Sequence, residues 1–143
     1  MRNLRSKPVT RIGRRGTALV EMALALLLLM LLTLGAIEYG WLFLKQQQIT
    51  NAARQAARLA STADATNATV NSQITTLMSS YGLGSSGYAT TFSWANDVST
   101  VARGTSVSVK ISVTYSAITI TNFKLLPLPT TLSATVAMQK EGP

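Results

Sequence analysis

The chain has no cysteine and no histidine, and only five acidic residues and four prolines in 143 positions. Without cysteine, no disulfide can brace the fold, and no lipid can be attached through an N-terminal thiol. Without histidine, the commonest general base and the commonest metal ligand are both missing. The usual nucleophile–base triads and zinc sites go with them. Three of the acids, Asp64, Asp97 and Glu141, lie far apart and in no metal-loop spacing. No glycine-rich phosphate motif precedes a helical stretch. A serine–lysine dyad is allowed by composition, through Lys110 or Lys124, but no local pattern marks one. The expectation is a protein that is no enzyme and holds no cofactor or metal.

Positive charge is abundant but unevenly placed. Of the thirteen Lys and Arg, six (Arg2, Arg5, Lys7, Arg11, Arg14 and Arg15) fall within 1–16, a stretch that contains no acid. The chain from Thr17 onwards holds seven basic and five acidic side chains. A nucleic-acid interface needs basic residues clustered on a folded surface, so nucleic acid is not the expected partner. A basic leader ahead of an apolar segment is instead an orientation signal, because positive flanks stay cytoplasmic.

That apolar segment runs from Thr17 to Leu44 and carries no charge other than Glu21 and Glu38. A helix of this length rises about 42 Å, enough to cross a bilayer with its interfaces. A secretory signal peptide has an apolar region of about 7–15 residues followed by a small-residue cut site, and neither feature fits. The segment therefore reads as a retained single-pass anchor in membrane lipid, with the N-terminus inside. Tyr39, Trp41 and Phe43 stand at its far end, where an aromatic belt is expected. Lys45 to Ala60 continues with good helix formers and no Gly or Pro. Ala52, Ala53, Ala56, Ala57 and Ala60 recur at spacings of three and four, a small-residue face for a domain to pack against. Residues 17–60 are thus expected to form one helix of about 44 residues, some 66 Å by its rise.

Glu21 needs an explanation. A carboxylate at mid-bilayer costs roughly 2.5–3.5 kcal/mol on insertion scales, and less near an interface. It is the fifth residue if the chain is cut after Gly16; a cut after Gly13, the other leader glycine, would put Ala18 there. The stretch Gly16-Thr17-Ala18-Leu19-Val20-Glu21-Met22-Ala23-Leu24 resembles a prepilin peptidase site followed by a pilin-type helix. With Gly35-Ala36-Ile37-Glu38-Tyr39-Gly40 and the tail Asn51-Ala52-Ala53-Arg54-Gln55-Ala56-Ala57-Arg58, the chain as far as Ala60 resembles the TadE-like pseudopilins of tight-adherence (Tad) pili. Met22 replaces an aromatic usual in that family, and Leu27 a common proline, which implies a straighter helix.

The resemblance implies a minor pseudopilin of the bacterial inner membrane, cut between Gly16 and Thr17 by prepilin peptidase. Its C-terminal domain would lie outside, and its partners would be other pilins or pseudopilins and Tad inner-membrane assembly proteins, with a role in pilus assembly and adhesion. Glu21 would pair with an N-terminal ammonium, its own or a neighbour's, in a medium where such a pair gains far more than at a wet surface. The competing reading is an unprocessed single-pass anchor that presents an outer protein-binding domain. Glu38 is open to two readings: a contact to a partner helix, or an interfacial carboxylate beside Tyr39. Arg54 and Arg58 share a face four residues apart. They suit either a helix contact or a solvated face with salt bridges to the domain.

Residues 61–143 are expected to form a small globular part. Residues 61–69 read as a polar loop, and Val70, Ile74, Leu77, Met78 and Tyr81 mark a short amphipathic helix over 70–83. Gly82, Gly84 and Gly87 signal a turn. Residues 88–94 read as a strand. Residues 106–115 alternate Val107, Val109, Ile111, Val113 and Tyr115 with polar positions, a half-buried strand. Residues 118–123 could extend it, Pro127 and Pro129 break the chain, and 132–139 alternates again. The fold class is α+β: a long membrane helix continuing into a small antiparallel sheet.

Overall fold

The computed structural model of the chain describes residues 13–120 and 127–141. The leader residues 1–12, the end of the 118–123 segment and Lys124 lie outside these. The element order is helix α1 (Gly13–Ser61), helix α2 (Asn67–Ser80), strand β1 (Ala89–Phe92), a 3₁₀ turn (Val98–Thr100), strand β2 (Ser106–Thr114), a second 3₁₀ turn (Tyr115–Ala117) and strand β3 (Thr131–Gln139). The chain divides between Ile37 and Glu38 into two compact units. This division falls within α1 rather than at its end near residue 61, so the part of α1 from Glu38 to Ser61 belongs to the second unit.

In the first unit, α1 carries apolar side chains around its whole circumference. Leu19, Met22, Leu24, Leu28 and Leu32 each expose more than 60 % of their surface. An apolar surface of this extent is not stable against water and marks contact with lipid or protein. The helix is long and apolar enough to cross a membrane. Thr33, inside this stretch, donates its hydroxyl to Leu29 O at 2.8 Å, so it carries no unsatisfied donor into an apolar medium.

The second unit is built on the other half of α1. Ile49, Ala52, Ala53, Ala56, Ala57 and Ala60 are fully buried there. They share one core cluster with Val70, Ile74 and Met78 of α2 and with Val107, Val109, Ile111 and Val113 of β2. The three strands form an antiparallel sheet in the order β1-β2-β3, with Phe92 opposite Val109 and Ile111 opposite Ala134. Alternation along β2 and β3 turns the apolar positions inward and leaves Ser, Thr and Lys110 outside, as a sheet with one wet face requires. Full burial of Ile49, Ile74, Met78, Leu83 and Ile111 contributes about 1.5–3 kcal/mol each.

Local chemistry sets the ends of α2. The Thr66 side chain accepts from Thr69 N, and the Thr69 hydroxyl oxygen accepts in turn from Thr66 N, a reciprocal cap that starts the helix ahead of its first buried position, Val70. At the other end Leu83 N donates to Met78 O and Gly82 N to Ser79 O, with Gly82 at φ +68°. This is a left-handed glycine stop, closed by contact between the buried Leu83 and Met78. Asn67 ties the loop before β2 to the start of α2, accepting from Trp94 Nε1 at 2.7 Å and Val98 N at 3.1 Å. Asp97 accepts from the Ser99 and Asn67 backbone amides, which hold its carboxyl below the usual carboxylate range.

The alanine face gives a direct test of this packing. Ala56→Leu forces extra carbons into a filled core and is expected to cost about 1–3 kcal/mol. The neighbouring exposed Gln55→Leu is expected to change stability by less than about 0.5 kcal/mol. Thermal unfolding of the full chain in detergent, followed by circular dichroism, compares the two.

Candidate functional site

The sequence-marked residues fall in two places. In the first unit, Thr17 and Glu21 lie one helical turn apart on α1 and line a shallow recess with Gly16, Val20 and Leu24. All five are exposed. A Cβ placed on Gly16 would meet nothing within 4 Å. Packing therefore does not account for a glycine whose presence inside a helix costs roughly 1 kcal/mol relative to alanine. Glu21 is the only acid before Glu38 in the sequence, and it makes no hydrogen bond or ion pair among the described residues.

In the second unit, α1 presents four anchoring side chains in close succession. Glu38 is fully buried. Its Oε1 accepts from the Tyr115 hydroxyl at 2.7 Å and from Thr119 Oγ1. Tyr39 OH donates to Pro127 O at 3.1 Å, and Trp41 Nε1 to Ile118 O at 2.7 Å. Lys45, also buried, donates to Tyr81 O at 2.8 Å and stands 4.6 Å from the centre of the Trp41 ring. The four side chains fasten the end of α2 and both flanks of the β2–β3 connection to one stretch of helix.

Two expectations change here. The interfacial-carboxylate reading of Glu38 gives way to a buried acceptor inside its own chain. Tyr39 and Trp41 give their polar hydrogens to the domain's backbone; Tyr39, 44 % exposed, and Phe43, 65 % exposed, still keep outward rings, whereas Trp41 is half-buried. Arg54 and Arg58 are exposed, and neither forms an ion pair among the described residues, so the salt bridges to the domain are not found. Arg58 stands in the last turn of α1, where a cation meets the negative end of the helix dipole. The structure brings neither arginine to Glu21 or Glu38. Among the described residues no three acids converge to hold a metal ion.

Residues 16–58 match the family model described as TadE-like protein. Over this stretch the chain is similar to that family. The matched span begins at Gly16, takes in Glu21 and Glu38, and ends at Arg58, just short of the end of α1 at Ser61. It connects the chain with Tad pilus systems, and the apolar helix is compatible with single-pass anchoring in the membrane of such a system. No curated protein and no solved structure matches the chain. The TadE-like stretch thus contains the anchoring residues Glu38, Tyr39, Trp41 and Lys45, whereas the groups they hold lie outside it.

Sequence reasoning misses Tyr115, Thr119 and Lys45 as members of a site. The signal for Tyr115 is present: it continues the inward phase of residues 107–113, so its ring points to the core and its hydroxyl needs a buried partner. Nothing in the order of residues pairs it with a glutamate 77 positions earlier.

Burial, then the hydrogen bond to Glu38 and its charge, push the Tyr115 phenol up to about 12. Because the folded value is raised, the retained proton stabilises the fold fully below pH 10. That contribution is lost as pH climbs towards about 12. Tyr115→Phe removes the donor and leaves the Glu38 carboxylate short of a partner, at an expected cost of about 1–3 kcal/mol. Thermal unfolding between pH 7 and 11 checks both: the gap between wild type and variant should narrow above pH 10.

Proposed function

We propose that the chain is a prepilin-like minor pseudopilin, cleaved after Gly16 and acting in the assembly of a Tad-type pilus. The observation that carries this reading is the pair Gly16 and Glu21. The first is a helical glycine that packing does not require, and the second is a solitary exposed carboxylate, fifth in the chain after the cut. Cleavage frees the Thr17 amine one helical turn from Glu21. An ammonium there, from the same subunit or the preceding one, neutralises a charge that lipid cannot solvate. That pairing sets the register at which one subunit docks on another.

In this reading the chain is a substrate of prepilin peptidase rather than an enzyme. It sits in the bacterial inner membrane with its N-terminus inside and residues beyond the span outside. Its partners are other pilins or pseudopilins and the Tad inner-membrane proteins. The TadE-like match supports the pilus context, and the basic leader supports the orientation.

Intact mass of the protein recovered from membranes of cells carrying its native secretion genes tests the cut. A species beginning at Thr17 is expected, and one that keeps residues 1–16 would reduce the protein to an unprocessed anchor. Gly16→Ala is expected to block processing while strengthening the helix, so misfolding cannot explain the loss. Glu21→Ala is expected to insert normally and to abolish or sharply reduce piliation by electron microscopy; normal piliation would remove Glu21 from assembly.

A further inference from the structure

Lys45 closes the apolar run: it is the first basic residue after the leader, and it follows a stretch, Thr17 to Leu44, whose charges are two glutamates only. Its side chain is 6 % exposed. An ammonium buried to this degree needs its hydrogen bonds made, because desolvation costs several kcal/mol otherwise. Of its three N–H donors, one goes to Tyr81 O; the other two meet no acceptor among the described residues. The Trp41 ring 4.6 Å away supplies part of the missing compensation as a cation–π contact. The remainder is unaccounted for within the chain.

A pocket of about 430 Å³ opens on this ammonium. Its lining includes Trp41, Ser80, Gly82, Ser85 and Ser86, and no carboxylate. Ser80 and Ser86 spend their hydroxyl protons on Leu77 O and Leu83 O, so their oxygens face an incoming group only as acceptors. The exposed Ser85 hydroxyl has no partner among the described residues and remains a donor. A buried cation with two unused donors, one free hydroxyl, no competing acid and an aromatic wall select an oxyanion of single charge.

We propose that this pocket binds a phosphodiester, and that its source is the headgroup of a membrane phospholipid. Lys45 would donate to two phosphate oxygens, and the Ser85 hydroxyl to one of them. This source is supported by sequence position: Trp41 and Lys45 lie where the apolar run ends, the place at which a spanning helix meets lipid headgroups. The bound lipid would complete the site around Lys45 and fix the height at which the domain meets the bilayer surface. The inference stands independently of processing after Gly16.

The test is native mass spectrometry of the full chain in a neutral detergent with dioleoyl-phosphatidylglycerol, with dioleoylglycerol, or with inorganic phosphate. Retention of the phospholipid but not of dioleoylglycerol is expected, with no displacement by equimolar inorganic phosphate. Lys45→Met and Ser85→Leu are each expected to lower retention about tenfold or more, and the exposed Lys110→Met to leave it unchanged. Ser85→Leu narrows the pocket while leaving the Lys45 bonds in place, so the result does not depend on the lysine variant folding. Equal retention of dioleoylglycerol would overturn recognition of phosphate, and displacement by inorganic phosphate would overturn the lipid as its source. Undiminished retention in either Lys45→Met or Ser85→Leu would overturn the site.

Discussion

Burial of the alanine face of α1 in the shared core is the constraint on which the second unit depends. Ala52, Ala53, Ala56, Ala57 and Ala60 contribute almost no side-chain volume, yet all are fully buried. The core is therefore thin, and its apolar bulk comes from the other side: Val, Ile and Leu of the sheet, and Val70, Ile74 and Met78 of α2. A core of this kind, without disulfides, has little stability in reserve. Polar ties at the edges of the contact matter more than they would around a deeper core.

Those ties follow one pattern. Two helix C-termini, each with orphan carbonyls and a partial negative charge, are met by buried lysines. Lys45 reaches Tyr81 O at the end of α2, and Lys140, 2 % exposed, donates to Ala60 O and Thr62 O at the end of α1. Glu38 works in the opposite sense, as a buried acceptor for the hydroxyls that lead out of β2. Each buried charge thus serves as a clasp between segments distant in sequence. A clasp is costly to break from one side only, because the abandoned charge stays buried.

Local elements were well marked in the sequence, and long-range partnerships were not. Strict alternation from Val107 to Val113 specified β2 because a period of two with one apolar phase has few other solutions. The C-terminal end of α1 followed from the absence of Gly and Pro between Trp41 and Ser61, whereas its start at Gly13, ahead of the expected Thr17, did not. The start of α2 was placed at Val70 instead of Asn67, since its cap is threonine chemistry rather than apolar spacing. The 3₁₀ turn at Val98–Thr100 was not anticipated, being set by the Asp97 side chain and a single amide. The division at Glu38 was not legible for a physical reason: a helix does not change its backbone where it passes from one environment to another, so only the contacts reveal it. Gly16 and Glu21 stand out in the sequence because each breaks a local rule, a glycine in a helix and an acid in an apolar run. Lys45 and Glu38 obey local rules, and their meaning comes from what folds over them.

The flatness of the alanine face has an evolutionary consequence. A surface almost without relief dictates how near a partner can come, but hardly dictates its shape. Many different inner faces of small aliphatic side chains could seat on it with equal ease. The sheet is then free to diverge while its seat is held fixed, and an ancestral anchor could acquire unrelated outer heads without redesign. Recognisable kinship in such a lineage would fade at the top of the helix, which is where the matched span of this chain stops.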